Sequence, residues 1–227
     1  MDWLGKSPLT VGARSSALSR AQVEEVLLGL RVHYPEISFN PIWVSTHGDA
    51  DLLQSLKGMD KTDFFTREID QMLLHEQIRI AIHSAKDLPS PLPAGIVCVA
   101  LTKGVDSSDA LVLRDGDSLE ALPEGAKIAT SSIRREVMIR KIRSDLTCVE
   151  VRGPVDQRLQ ALYEGYIDGL VVAEAALIRL NKTDCNRIRL AGPVAEFQGQ
   201  LAVLARIGDS QMEALFACLD VGRHSVV

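Results

Sequence analysis

The chain has 227 residues, enough for one large domain or two small ones, and its 46% hydrophobic content with only 4% aromatics implies cores of Leu, Val, Ile and Ala. A net charge of −5 argues against general nucleic-acid binding. No apolar run reaches the ~18 residues needed to span a bilayer, and the opening MDWLGK has an acidic residue and no apolar core behind it, unlike a secretion signal. Cys98, Cys148, Cys185 and Cys218 stand far apart with no C-x-x-C spacing, so free thiols in a reducing cytoplasm are expected, with no zinc site and no disulfide.

In chain order, a short strand is predicted at 9–13, then Arg14-Ser15-Ser16, then a helix over 17–31 with Ala21, Val23, Val26, Leu27 and Leu30 on its apolar side. Ser15 or Ser16 is placed to cap it. A second strand at 37–45 enters Thr46-His47-Gly48-Asp49. Residues 49–63 are polar and lysine-bearing, the composition of a lid over a site or of an ordinary surface connection. Phe65, Ile69, Met72 and Leu73 then fall at helical spacing, with Asp63 as candidate cap.

The stretch 78–89 is the most informative. Ile78-Arg79-Ile80-Ala81-Ile82 reads as a buried strand that switches to His83, Ser84, Lys86 and Asp87 before Leu88-Pro89 stops regular structure. In α/β proteins the carboxyl ends of strands open on the ligand crevice. An ammonium beside it (Lys86) favours the ionised form of Asp87. An ionised carboxylate there can accept a pyrrole-type N–H or stabilise a developing cation; it can equally be a salt bridge on a turn. His83 reads as a packed, hydrogen-bonded strand residue.

A strand at 96–101 and a small polar hinge at 102–108 lead to a second unit. It carries strands at 110–113 and 127–129, a basic helix over 133–143, a strand at 146–151, a helix over 155–164, a strand at 167–173 and a helix over 174–180. A strand at 201–204 and a helix over 210–218 close the sequence. Segment 11–16 resembles 128–133, and 78–88 resembles 167–177, which implies two lobes of related design with a cleft between them. In both lobes a strand feeds a helix through Ser or Thr, leaving backbone N–H groups at the helix start for an anion. Arg14 joins the first such place; Arg134 and Arg135 join the second, with Arg152 and Arg158 near it. Arginine's planar fork matches a carboxylate, so a ligand with several carboxylates or phosphates is implied. Arg140 and Arg143 read as a solvated helix face. No nucleotide fingerprint, nucleophile elbow or metal-spaced histidine set is present.

Several of these motifs, in this order, resemble the hydroxymethylbilane synthase (porphobilinogen deaminase) family over about residues 11–206: His83-Ser84-Ala85-Lys86-Asp87-Leu88-Pro89, Thr130-Ser131-Ser132-Ile133-Arg134-Arg135, Arg152-Gly153 with Arg158-Leu159, and Gln198-Gly199. The resemblance implies an α/β fold of two periplasmic-binding-protein-like lobes (type II) with an interlobe cleft and two crossovers. Residues 1–102 with 197–227 would form lobe 1, carrying Asp87, and 106–194 the arginine-rich lobe 2. The implied reaction joins porphobilinogen units head to tail with release of ammonia into a linear tetrapyrrole, for haem biosynthesis. Asp87 would be catalytic. Arg14, Ser16, Ser84, Lys86, Thr130, Ser131, Ser132, Arg134, Arg135, Arg152, Arg158, Gln198 and Gly199 would bind substrate and primer.

The implied cofactor is dipyrromethane, held in the family by a cysteine of a third, C-terminal domain; this sequence ends before that domain, and Cys218 is its nearest thiol. Gly58 and Thr62 stand where the family has lysines, with Lys57 and Lys61 each one residue away, and Pro154 replaces an asparagine. The expected partners are porphobilinogen and the growing polypyrrole, with no nucleic acid or membrane, for a cytoplasmic monomer without metal. A non-catalytic tetrapyrrole- or polycarboxylate-binding protein on the same fold is the alternative.

Overall fold

The computed structural model describes residues 7–51, 54–55, 57–58 and 61–226. The opening segment read against a secretion signal, and residues 52–53, 56 and 59–60 of the lid, lie outside them. In chain order the elements are β1 (Leu9–Arg14), α1 (Ala17–Arg31), β2 (Phe39–Val44), α2 (His47–Ala50), α3 (Arg67–Leu74), β3 (Ile80–Ser84), a 3-10 turn at Ala85–Asp87 and β4 (Ile96–Leu101). There follow β5 (Asp109–Val112), β6 (Lys127–Ala129), α4 (Ile133–Ile142), β7 (Thr147–Val149), α5 (Val155–Tyr163), β8 (Gly169–Ala173), α6 (Glu174–Arg179) and β9 (Arg187–Leu190). β10 (Leu201–Arg206) and α7 (Ser210–Phe216) come last, before a 3-10 turn at Arg223–Ser225.

These elements form two α/β units. The first takes in the chain up to Ala50, Lys61–Gly104 and the chain from Gln200; the second takes in Asp51–Asp60 and Val105–Gly199. The 51–60 segment thus groups with the second unit rather than with the lobe its place in sequence suggests. Ser55 Oγ donates to Glu150 (2.7 Å) and Lys57 Nζ to Glu136 (2.8 Å). The first sheet runs β2-β1-β3-β10-β4 and the second β7-β6-β8-β5-β9. In each, the first three strands are parallel and the fourth is antiparallel to its neighbours.

The patterning explains the layers. In β1, Val11 and Ala13 are fully buried on the face covered by α1 and α7, with Val26, Leu30, Leu215 and Phe216. Each such large side chain contributes about 1.5–3 kcal/mol by leaving water. A Cβ on Gly12 would lie 2.3 Å from Ile78 Cδ1 and 3.1 Å from Ile69 Cγ2, so this strand position has no room for a side chain. Ser16 caps α1 as expected, its hydroxyl accepting from Ser19 N at 3.2 Å.

Three expectations are corrected. Asp63 does not cap α3: Thr66 holds the N-cap position, and the Asp63 carboxylate pairs with Arg67 at 2.8 and 2.9 Å. Arg143 is no solvated partner of Arg140, because its Nη1 donates to the carbonyls of Leu119 (2.8 Å) and Leu122 (2.9 Å). Strand β9 was not expected, since Arg-Ile-Arg-Leu offers only two apolar residues; Ile188 and Leu190 face the core and the arginines do not.

Asp70, on the inner side of α3, is 3% exposed, and neither carboxylate oxygen has a hydrogen-bond partner among the described residues. Burial pushes its pKa from 3.8 up to about 6. Because the folded value lies above the unfolded one, the fold favours the protonated acid. Stability is therefore lost as pH rises from about 4 to about 6 and stays lower above that. Asp70→Asn, a neutral isostere, is expected to gain up to about 3 kcal/mol over the parent at pH 8 and almost nothing at pH 3.5. Urea unfolding at the two pH values checks this; an equal difference at both would show that the charge costs the fold nothing.

Candidate active site

Parallel strands end on a common edge, and the expected site residues of each unit lie at that edge. In the first unit, Arg14 is the last residue of β1 and Ser16 caps the helix that follows. Ser84 ends β3, and Lys86 and Asp87 occupy the 3-10 turn behind it, both partly exposed. That turn is pinned at its start by Ala85 N donating to Gln200 O (3.0 Å). Buried Gln22 of α1 donates its amide to Ser84 Oγ at 2.7 Å, which leaves the serine proton to be donated elsewhere.

The Arg14 guanidinium lies 4.4 Å over the Phe65 ring and donates from Nε and Nη2 to the Asp49 carboxylate. Asp49 also accepts from Thr46 N (3.0 Å) and Oγ1 (2.9 Å). Burial works against ionised Asp49, but Arg14 and Thr46 outweigh it and hold its pKa below the ordinary value. His83 occupies the expected place in β3. Burial, with Arg14 nearby, pushes its pKa down to about 4, so the imidazole is neutral at physiological pH. It is a buried, packed strand residue as expected, and its Nε2 has no hydrogen-bond partner among the described residues.

In the second unit, Thr130 is buried just beyond β6 and its hydroxyl accepts from Ser132 N at 3.2 Å. Ser131 Oγ donates to Val151 O at 2.5 Å, tying this loop to the end of β7; its proton is thereby committed to the backbone. Ser132 is the N-cap of α4 but its side chain caps none of the first-turn N–H groups, so these remain for an anion. Arg134 and Arg135 both turn onto Asp109, a wholly buried residue of β5. Burial opposes the charge of Asp109, yet the two guanidiniums prevail and its pKa lies below the ordinary value.

Arg152 follows β7 and donates from Nη2 to Asp51 O at 2.6 Å. Arg158 on α5 donates to Gly153 O at 2.7 Å. Pro154 holds the N-cap position of α5, where it brings no side-chain acceptor. Gln198 is 3% exposed, and its amide nitrogen reaches Ser107 O (2.7 Å), Ser108 O (3.2 Å) and Asp109 Oδ1 (2.9 Å). Gly199 has φ +87°, and a Cβ there would lie 2.1 Å from Asp106 O. Both residues therefore shape the backbone where the chain leaves the second unit.

Sequence reasoning missed Gln22, Asp49 and Asp109. Asp49 had a signal, since it follows the end of a predicted strand. Asp109 had none: a carboxylate 25 residues from its arginine announces no pairing.

One strand order repeated in two α/β units, each with an antiparallel fourth strand, defines the two-lobed, periplasmic-binding-protein-like type II class. Solved structures agree at the level of fold. A periplasmic substrate-binding protein of an ABC transporter from Coxiella burnetii is 16% identical with a TM-score of 0.58, matching 93% of this chain and 91% of that one. A nutrient-binding protein from Burkholderia cenocepacia bound to methionine is 13% identical with a TM-score of 0.56, over 93% and 91%.

Sequence comparison is more specific. The family described as porphobilinogen deaminase, dipyromethane cofactor binding domain, matches residues 9–214. The porphobilinogen deaminase of Desulforudis audaxviator is 39% identical over 93% of this chain and 70% of its own length. That of Roseiflexus castenholzii is 36% identical over 95% and 72%, and that of Clostridioides difficile 39% over 91% and 70%. The chain belongs to the porphobilinogen deaminase family.

Taken unit by unit, the donors fit an acid arm of a dipyrromethane: in the second unit an uncapped helix start beside Arg134, and in the first the Ser84 hydroxyl with its proton free to donate. The thiols do not single out an anchor. Burial pushes Cys98 up to about 12 and raises Cys148, Cys185 and Cys218 as well, and only Cys218 is exposed.

Proposed function

We propose that the protein is a hydroxymethylbilane synthase, which condenses porphobilinogen stepwise into a linear tetrapyrrole with loss of ammonia. The observation that carries this reading is Asp87, a carboxylate set in the turn that closes β3, within a chain matched to the family over residues 9–214. Dipyrromethane supplies the terminal pyrrole from which the chain grows.

Guanidiniums bind the acetate and propionate arms of the substrate. As the C–N bond within its protonated aminomethyl group breaks and ammonia leaves, positive charge develops on the pyrrole ring and its methylene carbon. Asp87 places a fixed negative charge there, the same logic that puts donors where an oxyanion forms. The pyrrole that a bound dipyrromethane would supply offers the α-carbon to which the methylene carbon would be joined, with that carbon's proton passing to solvent. Neutral His83 beneath this turn adds no competing positive charge. We take the chain to work as a cytoplasmic monomer without nucleic-acid or membrane partners; among the described residues no helix is long and apolar enough to cross a membrane.

The test is incubation with porphobilinogen and detection of the tetrapyrrole after oxidation to porphyrin. Intact mass and peptide mapping of the purified protein would show whether a dipyrromethane is attached, and through which cysteine. Absence of product even with preformed primer added would defeat the reading and leave a tetrapyrrole-binding protein.

A further inference from the structure

We propose that Arg20, stacked on Trp43, forms a further carboxylate subsite at the carboxyl edge of the first unit's sheet, where it takes an acid arm of a pyrrole unit. This rests on the synthase reading above and adds to it a pair of residues that none of the site motifs contains.

The pair is built from two elements. Trp43 lies opposite Ala13 in the register of β2 on β1, so its ring falls on the face that α1 covers, where it packs half-buried against the core. Arg20 stands one turn into α1 and is exposed. Its Cζ lies 4.3 Å over the Trp43 ring, and its Nε donates to Ser15 O at 3.1 Å. These two contacts fix the plane and one edge of the guanidinium beside Ser15-Ser16, the loop that joins β1 to α1. The end of the fork, Nη1 with Nη2, has no partner among the described residues. That end matches a carboxylate through two parallel bonds, and because the fork is already held, little freedom is lost when one binds.

Charge points the same way. In the same unit Arg14, Arg67 and Arg79 each pair with an aspartate. Arg20 pairs with no carboxylate among the described residues, although Glu24 stands one turn further along α1, at the spacing where such pairs form. The first turn of α1 holds no acidic residue, so the positive end of the helix and the Arg20 charge add. Every condensation brings another acetate and propionate to the chain, while the charge of Arg14 is already offset by Asp49. Arg20 supplies uncompensated positive charge to meet them.

The sequence has two tryptophans, Trp3 and Trp43, so Trp3→Phe leaves Trp43 as the one indole reporter. That protein is titrated with porphobilinogen and, separately, with its dimethyl ester, and Trp43 emission is followed. The expected result is a saturable change with the free acid and none with the ester. Arg20→Gln should raise the dissociation constant at least fivefold. Arg31→Gln makes the same charge change at the far end of α1 and should leave it within twofold. Should Arg20→Gln fail to fold, Arg20→Lys decides: it keeps the charge without the planar fork and should bind at least threefold more weakly than the parent. The proposal is overturned if emission ignores porphobilinogen or responds equally to the ester. It is also overturned if Arg20→Gln leaves the dissociation constant within twofold, or if Arg31→Gln raises it as much. Tetrapyrrole formation is measured alongside. A parent that forms tetrapyrrole while Trp43 stays silent sinks this inference alone. A parent that forms none sinks the synthase reading, while the titration still decides whether Arg20 takes a carboxylate.

Discussion

Asp87→Ala is expected to lower tetrapyrrole formation by a factor of about 100–1,000, the usual cost of removing one preorganised group aimed at transition-state charge. Asp87 is partly exposed and sits in a turn whose backbone is held independently of its side chain, through Ala85 N to Gln200 O and Leu88 N to Ala85 O. Its loss should therefore leave stability within about 0.5 kcal/mol of the parent. Asp87→Asn separates charge from shape: it keeps the size of the side chain and one carbonyl acceptor for a pyrrole N–H, and removes the negative charge. If charge stabilisation is the role, the asparagine variant is nearly as slow as the alanine one. If holding a pyrrole N–H is enough, asparagine retains most of the rate. Steady-state kinetics with porphobilinogen, beside a thermal melt of each variant, distinguish these results. A loss of less than threefold in the alanine variant would remove Asp87 from the mechanism.

Gly199→Ala is expected to destabilise the protein by about 3 kcal/mol or more, read as a shift in urea midpoint or as failure to accumulate in soluble form. Two costs combine. A residue with a Cβ at φ +87° meets the left-handed penalty of about 1–2 kcal/mol. In addition its Cβ would lie 2.1 Å from Asp106 O, a backbone atom that cannot rotate aside. Gly116→Ala is the control. Its φ is +84° but nothing lies within 4 Å of the place a Cβ would take, so it carries the backbone penalty alone, about 1–2 kcal/mol. Equal losses in the two variants would mean that the Asp106 carbonyl yields. Gln198-Gly199, which the family resemblance pointed to for ligand contacts, thus also shapes the chain.

Local pattern carried much of the fold. The helix over 17–31 and the strands at 96–101 and 127–129 fall on α1, β4 and β6 with the same bounds, because period and flanking polar residues agree there. Strand β9 escaped because half of its four residues are arginines, so its alternation looked like a charged surface. The site was legible as far as residue types at strand ends. What sequence could not show was where the arginines point. Arg14 to Asp49 and Arg134 to Asp109 are pairings across 35 and 25 residues, formed only when separate elements come together. Such pairings follow from tertiary packing, so no window of sequence contains them. The same holds for Ser131, whose hydroxyl reaches a carbonyl 20 residues on.

The strand order also dictates when each half can be finished during synthesis. In the first sheet β10, residues Leu201–Arg206, stands between β3 and β4, so two strands made early have no neighbour on that side until about a hundred further residues have left the ribosome. The second sheet takes all its strands from one stretch, Asp109 to Leu190, and needs nothing later. The half begun first is thus completed last. Arrested nascent chains should become protease-resistant in the younger half before the older one, and a premature stop shortly before β10 would leave exposed strand edges of the kind that aggregate.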